Sequence, residues 1–248
     1  MFDMTVETIV WISLILLLSA TIKGITGFGT ALFAVPILTA FFLSPEATRP
    51  LIVSLNLLLN IFILVKEKNL TIKALYPLRY LVIAGFIAAV LSGFLLERMD
   101  LRTFQIILGV LLIFTAINKL FKVQFHIPKP ERFFVPVGAT GGILNTLIGV
   151  GGIPVLIYLS NTDYKKAQFR LSLILFFFIL NVGSIISFTI HGSFEPHTLI
   201  QVLLFLPMVL IGGMIGMKIQ SRINERIFQI VIASLLLVMG VNTIFNLF

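Results

Sequence analysis

The chain has 248 residues, 58% of them hydrophobic and 11% charged, with a mean hydropathy of +1.11 and a formal net charge of +8. Soluble domains average about 25% charged residues, so this is more apolar surface than one soluble core can bury. The absence of cysteine excludes disulfides, thiol chemistry and Cys/His metal motifs, and the basic excess is accounted for by loop positions described below rather than by nucleic acid.

In chain order, apolar segments are predicted at 6–22, 28–43, 48–65, 77–96 and 101–120. A basic linker containing Pro128 and Pro130 follows, then segments at 133–148, 151–160, 168–190, 199–217 and 227–248. Runs of this kind mark membrane-spanning helices, and the short alternating stretches of a membrane barrel are absent. The N-terminus begins with Asp3 and Glu7 rather than a basic region, so residues 1–22 do not read as a signal peptide. The chain divides into a first transmembrane repeat at 1–121, a cytoplasmic linker at 122–132 and a second repeat at 133–248. Each repeat is a glycine-broken helix hairpin followed by three transmembrane helices.

The halves also match residue by residue. Phe104-Gln105-Ile106 pairs with Phe228-Gln229-Ile230, Arg98 with Arg222, Asn118 with Asn242 and Phe121 with Phe245. With small gaps, Arg49 pairs with Arg170, Asn60 with Asn181, and Gly27 and Gly29 with Gly149 and Gly151. A colinear series through a whole half points to duplication.

Charge sets the topology, because cytoplasmic loops collect Lys and Arg. Lys66, Lys68, Lys73 and Arg79 flank one loop, and Lys119, Lys122, Lys129 and Arg132 flank the linker. Lys165, Lys166 and Arg170 flank a third, and Lys218, Arg222 and Arg226 a fourth. Only Lys23, Arg49, Arg98 and Arg102 remain of the 18 basic residues. Residues 6–43 therefore enter from outside and return, and residues 133–160 enter from the cytoplasm and return. Each is expected to be a hairpin of two arms too short to span. The predicted fold is an all-α integral membrane protein of two inverted-topology repeats, multi-pass in the inner (cytoplasmic) membrane, with both termini periplasmic. Inverted repeats are common among secondary transporters.

The chemistry falls at the hairpin turns, Lys23 to Thr30 and Gly141 to Gly152. Glycine permits sharp turns and close approach to a ligand. Each turn opens a short helix, near Phe28 and near Gly152, whose first N–H groups are unpaired and carry partial positive charge. Two such ends facing each other make an anion site from backbone. Its candidate residues are Lys23, Thr26, Gly27, Phe28, Gly29, Thr30, Asn145, Gly149, Gly151 and Gly152. Lys23 is the one charge deep in an apolar stretch, placed either to meet the anion or to reach the outer surface. Arg49 and Arg170 suit oxyanion oxygens or anchor helices at the interface. Asn56, Asn60 and Asn181 line a cavity or bond between helices, and Thr26, Thr30 and Thr146 add hydroxyl donors at the turns. Gly85, Gly93, Gly212 and Gly216 read as packing positions, with Gly212 and Gly216 serving a homodimer or internal contacts. The histidines lie in the linker and outer loops, where they do not suit a proton relay. No enzyme motif, metal cluster or cofactor motif is present, so the partners implied are a small anion and the lipid bilayer. The anion's chemical class stays open between sulfonate and carboxylate, and a membrane assembly protein without a substrate is the reading from another class.

Gly24-Ile25-Thr26-Gly27-Phe28-Gly29 with Pro36, and Gly149-Val150-Gly151-Gly152-Ile153-Pro154 with Tyr158, resemble the two glycine motifs of the TauE/SafE sulfite exporter family. The regions around Ala47 and Ala167-Gln168-Phe169-Arg170 are similar too. Thr30 stands where the family usually has a further glycine, and Ile153 where a second proline is frequent. The resemblance implies transport of sulfite or organosulfonates across the cytoplasmic membrane. It places the site at Gly27, Gly29, Gly149, Gly151 and Gly152, with Arg49 and Arg170 nearby.

Overall fold

The computed structural model describes residues 4–66, 78–96, 98–121, 130–160 and 166–220, with 233–234, 237–238, 240–241 and 243–245 of the last segment. Every element in them is helical: α1 (Val6–Thr26), α2 (Thr30–Phe41), α3 (Pro45–Lys66), α4 (Arg79–Leu91), α5 (Gly93–Leu96), α6 (Leu101–Phe121), α7 (Phe134–Ile148), α8 (Gly152–Ser160), α9 (Lys166–Ile190) and α10 (Pro196–Ile219). A 3-10 turn, Pro130–Phe133, precedes α7. Asp3, Lys68, Lys73, Glu97, Lys122, Lys129, Lys165, Arg222, Arg226, Phe228-Gln229-Ile230 and Asn242 lie outside the described residues.

Local chemistry sets the helix ends. The Thr5 hydroxyl caps α1 by accepting from the Thr8 N–H at 3.2 Å, and Glu7 stands at the positive end of the dipole. Asp100 caps α6 by accepting from the Thr103 N–H at 2.9 Å. Hydrogen bonds from Thr103 hold its carboxyl below the ordinary aspartate value. Pro196 opens α10, where its missing N–H costs nothing.

Among the described residues, four helices are long and apolar enough to cross a membrane: Val6–Thr26, Pro45–Lys66, Arg170–Ile190 and Pro196–Ile219. The first corrects the expectation of two short arms. The hydropathic run stops at Lys23, but the helix continues to Thr26 because the ammonium is accommodated inside the protein. The partner arms, α2 with 12 residues and α8 with 9, are short. The predicted span at 77–96 is also divided, at Ser92, whose hydroxyl bonds back to the Ala88 carbonyl.

The surface is turned inside out relative to a soluble protein. Trp11, Leu18, Ile83, Ile87, Val110, Leu199 and Leu203 are exposed, while Lys23, Arg49, Asn56, Asn60, Asn145 and Asn181 are buried. Such an apolar exterior suits lipid, which offers exposed polar groups no partners.

Helix packing is reciprocal between the halves. α1 packs most extensively on α10, and α7 on α4, while α3 packs on α9. Small residues permit the close approach. A Cβ on Gly24 would lie 2.9 Å from Gly216 Cα, and one on Gly142 would overlap the Gly85 carbonyl oxygen and reach Ala89 N at 2.9 Å. Gly212 and Gly216 face the Leu17 and Thr21 carbonyls of α1, so this stripe serves internal packing. In the last segment, Gly240 closes against Gly109 and Ile113 of α6.

Gly142→Ala, which forces methyl against backbone, is expected to lower stability by about 3 kcal/mol or more. Gly192 has a φ of +65° and nothing within 4 Å of an added Cβ, so Gly192→Ala should cost only the backbone strain, about 1–2 kcal/mol. Thermal unfolding in detergent separates them. Equal destabilisation would contradict the packing role of Gly142.

Candidate functional site

The two hairpins break by the same device. α1 ends at Gly27, with φ +85°, whose N–H bonds to the Lys23 carbonyl at 2.7 Å. α7 ends at Gly149, with φ +75°, whose N–H bonds to the Asn145 carbonyl at 3.0 Å. Both are left-handed helix caps, a conformation that glycine adopts without penalty. Gly29, with φ +105°, then caps α2 at its start. The breaks are tighter than the glycine runs suggest. Lys23 to Thr26 and Gly141 to Ile148 are helical, and the turns proper are 27–29 and 149–151. α2 correspondingly begins at Thr30, two residues beyond the expected Phe28.

The turns meet around a partly open cleft. From the first hairpin come Lys23, Phe28, Gly29, Thr30, Ala31 and Leu32, and from the second Asn145, Gly149, Val150, Gly151, Gly152, Ile153 and Leu156. Asn56 of α3 and Phe177 and Asn181 of α9 close the sides. The first intrahelical N–H bond of α2 is Phe33 to the Gly29 carbonyl, at 3.3 Å. The amides of Thr30, Ala31 and Leu32 thus begin a helix at the cleft without intrahelical acceptors. Gly152 and Ile153 begin α8 there in the same way, and Pro154 has no N–H to strand.

Lys23 supplies the charge. It is 3% exposed, so it does not reach the outer surface. Its Nζ donates to Asn56 Oδ1 at 2.9 Å and stands 5.9 Å from the centre of the Phe177 ring. No Asp or Glu is among the described residues that line the cleft. The ammonium therefore has a neutral acceptor and a ring face but no anionic partner among the lining residues. Opposite it, Asn145 Nδ2 donates to Asn181 Oδ1 at 3.1 Å and to Ser184 Oγ at 2.8 Å. Asn181 Nδ2 and Thr30 Oγ1 are buried and have no hydrogen-bond partner. Lys23, Thr30 and Asn181 thus bring ammonium protons and unbonded polar groups to the lining of one cleft, groups of the kind that bond an oxyanion.

Of the site residues expected from sequence, Lys23, Phe28, Gly29, Thr30, Asn145, Gly149, Gly151, Gly152 and Asn181 line the cleft. Thr26, Gly27, Arg49 and Arg170 do not. The Thr26 hydroxyl is used by the turn, accepting from the Phe28 N–H at 3.2 Å. Arg170 lies behind Gly27 and donates from Nη2 to the Gly24 carbonyl at 3.2 Å, tying α9 to the end of α1. Arg49 is buried beside Phe104 at 5.0 Å and Glu46 at 3.7 Å. Thr146 bonds the Ala89 carbonyl and Ser184, joining α7 to α4 and α9. Sequence reasoning missed Phe177, which stands four residues before Asn181 and hence on the same face of α9.

Long apolar helices around a partly open cleft at two helix breaks fit a multi-pass membrane protein, and the family match makes its class a membrane transporter rather than an enzyme. The chain belongs to the TauE/SafE family, whose model, described as Sulfite exporter TauE/SafE, matches residues 12–243. A protein of Cupriavidus necator named probable sulfite/organosulfonate exporter TauE is 23% identical over 203 residues, covering 79% of this chain and 78% of its own. No solved structure matches.

A Cβ on Gly149 would meet only Val35 and Ile52, at 3.4 and 3.9 Å. Gly149→Ala is therefore expected to act through backbone strain alone, lowering stability by about 1–2 kcal/mol. Denaturant or thermal unfolding checks this, and an unchanged midpoint would show that the turn relaxes freely.

Proposed function

We propose that this chain is a secondary transporter that moves a small sulfur oxyanion, sulfite or an organosulfonate, across the cytoplasmic membrane by alternating access. The anion sits at the starts of α2 and α8 and pairs with Lys23. The observation that carries this reading is the buried Lys23 ammonium at a cleft with no carboxylate among its described lining residues. A buried charge in a membrane protein is costly and typically functional, and an arriving oxyanion supplies the partner that the cleft lacks. Neutral donors on the opposite wall add direction without a second fixed charge. The reciprocal packing of α1 on α10 and α7 on α4 supports two halves of opposite orientation that rock about the cleft. The name of the Cupriavidus necator relative and the family's description support sulfur as the centre of the anion.

The test is flux of radiolabelled sulfite and short-chain sulfonates into proteoliposomes, with and without a pH gradient. The wild type should carry at least one of them saturably. Lys23→Gln, which keeps a polar side chain but removes the charge, should weaken its binding about tenfold or more. Wild-type flux in Lys23→Gln, or no sulfur anion carried by folded wild type, would overturn the reading. Transport of carboxylates alone would keep the site and change the substrate.

A further inference from the structure

Three polar residues of α3, Arg49, Asn56 and Asn60, fall within about 40° of arc and so share one face of the helix. Asn56 lines the cleft and holds Lys23. The other two are buried, at 4% and 0% exposure, and carry polar atoms with no hydrogen-bond partner. In Arg49 these are Nε and Nη2, and in Asn60 both Nδ2 and Oδ1. Buried polar groups are almost always bonded, so each exception calls for an explanation. For Asn60 the exception is complete, because the whole carboxamide is stranded where a leucine of similar size would strand nothing.

The other orphans sharpen the pattern. Thr30 and Asn181, both with unbonded atoms, line the cleft itself. Ser54 lies about 140° round α3 from Arg49, off the stripe, and strands one hydroxyl. The orphans of the stripe thus lie on the face of α3 that carries Asn56, one to either side of it along the helix. Asn60 is one turn, about 6 Å, beyond Asn56 toward Lys66, and Arg49 is two turns, about 10 Å, toward Pro45.

We propose that the anion passes along this face of α3, with Asn60 and Arg49 as its binding stations on either side of the cleft. The amide N–H of Asn60 and the guanidinium N–H groups of Arg49 donate to the same oxyanion oxygens that Lys23 holds in between. Glu46 stands 3.7 Å from Arg49 Nη2 on a side chain that is 66% exposed. It is a counter-ion that an entering anion displaces, which keeps this station weak enough to release its load. The proposal rests on the transport reading above.

The test is Asn60→Leu, measured for stability, anion binding and flux. A carboxamide that only fills space predicts a variant at least as stable as wild type and equally active, since replacing an orphan polar group by an apolar one of like shape is neutral or stabilising. A station predicts undiminished stability and undiminished thermal stabilisation by methanesulfonate, with flux lowered about tenfold. Asn60→Ser, which restores a donor, should recover part of that flux, and it carries the test should Asn60→Leu fail to fold. Arg49→Gln should raise the half-saturating concentration for entry from the Pro45 side alone. Wild-type flux in a folded Asn60→Leu overturns the α3 track and leaves the Lys23 site standing. Absence of both flux and methanesulfonate stabilisation in wild type overturns the transport reading and the track with it.

Discussion

A buried ammonium with a neutral partner is the constraint on which the rest of the structure depends. Lys23 lies in the last turn of α1 and bonds Asn56. For an anion to meet it, the helix must break at once and a new helix must start beside it. Gly27 and Gly29 provide that break in three residues. A break at membrane depth is tolerated only where protein or a water-filled cavity covers it. The cover comes from the opposite half: the second hairpin turn, α9 with Phe177 and Asn181, and Arg170 behind Gly27. The glycine contacts of α1 with α10, and of α7 with α4, let these helices approach closely around the site.

The two hairpins share a fold device and differ in chemistry. Lys23 and Asn145 occupy the same position relative to their left-handed caps, and each donates its side chain to an asparagine of the following long helix. The first hairpin thereby contributes a charge. The second contributes a neutral network in which Asn145, Asn181, Ser184 and Thr146 fix one another. Hydrogen bonds to a charged group contribute about 1.5–3 kcal/mol against 0.5–1.5 for neutral pairs. In the proposed transporter, affinity is concentrated at Lys23, while the neutral wall fixes orientation.

Much of this was legible in the sequence because it follows from composition along a line. The apolar segments, the two glycine breaks and the isolation of Lys23 need no knowledge of neighbours. What was not legible depends on contacts. Gly24, Gly141 and Gly142 look like turn residues beside Gly27 and Gly149, yet they are helical, and a Cβ on any of them would meet backbone of another segment. α1 outlasts its apolar run because Asn56, 33 residues away, accepts the ammonium. Arg49 and Arg170 occupy matching positions in the sequence, but one ties α9 to the Gly24 carbonyl and the other lies beside Phe104 and Glu46. Phe177 stood unmarked in a run of three phenylalanines, since the approach of Lys23 from α1 and of Gly152 at the start of α8 is what brings it to the cleft.

The central claim is that the cleft binds by charge. The most direct measurement is the thermal stabilisation of the purified protein by methanesulfonate compared with dimethyl sulfone, which has nearly the same shape and no charge. The account expects saturable stabilisation by the sulfonate and none by the sulfone, with the sulfonate effect lost when Lys23 is neutralised. Equal stabilisation by both, or a sulfonate effect that survives without the Lys23 charge, would contradict it.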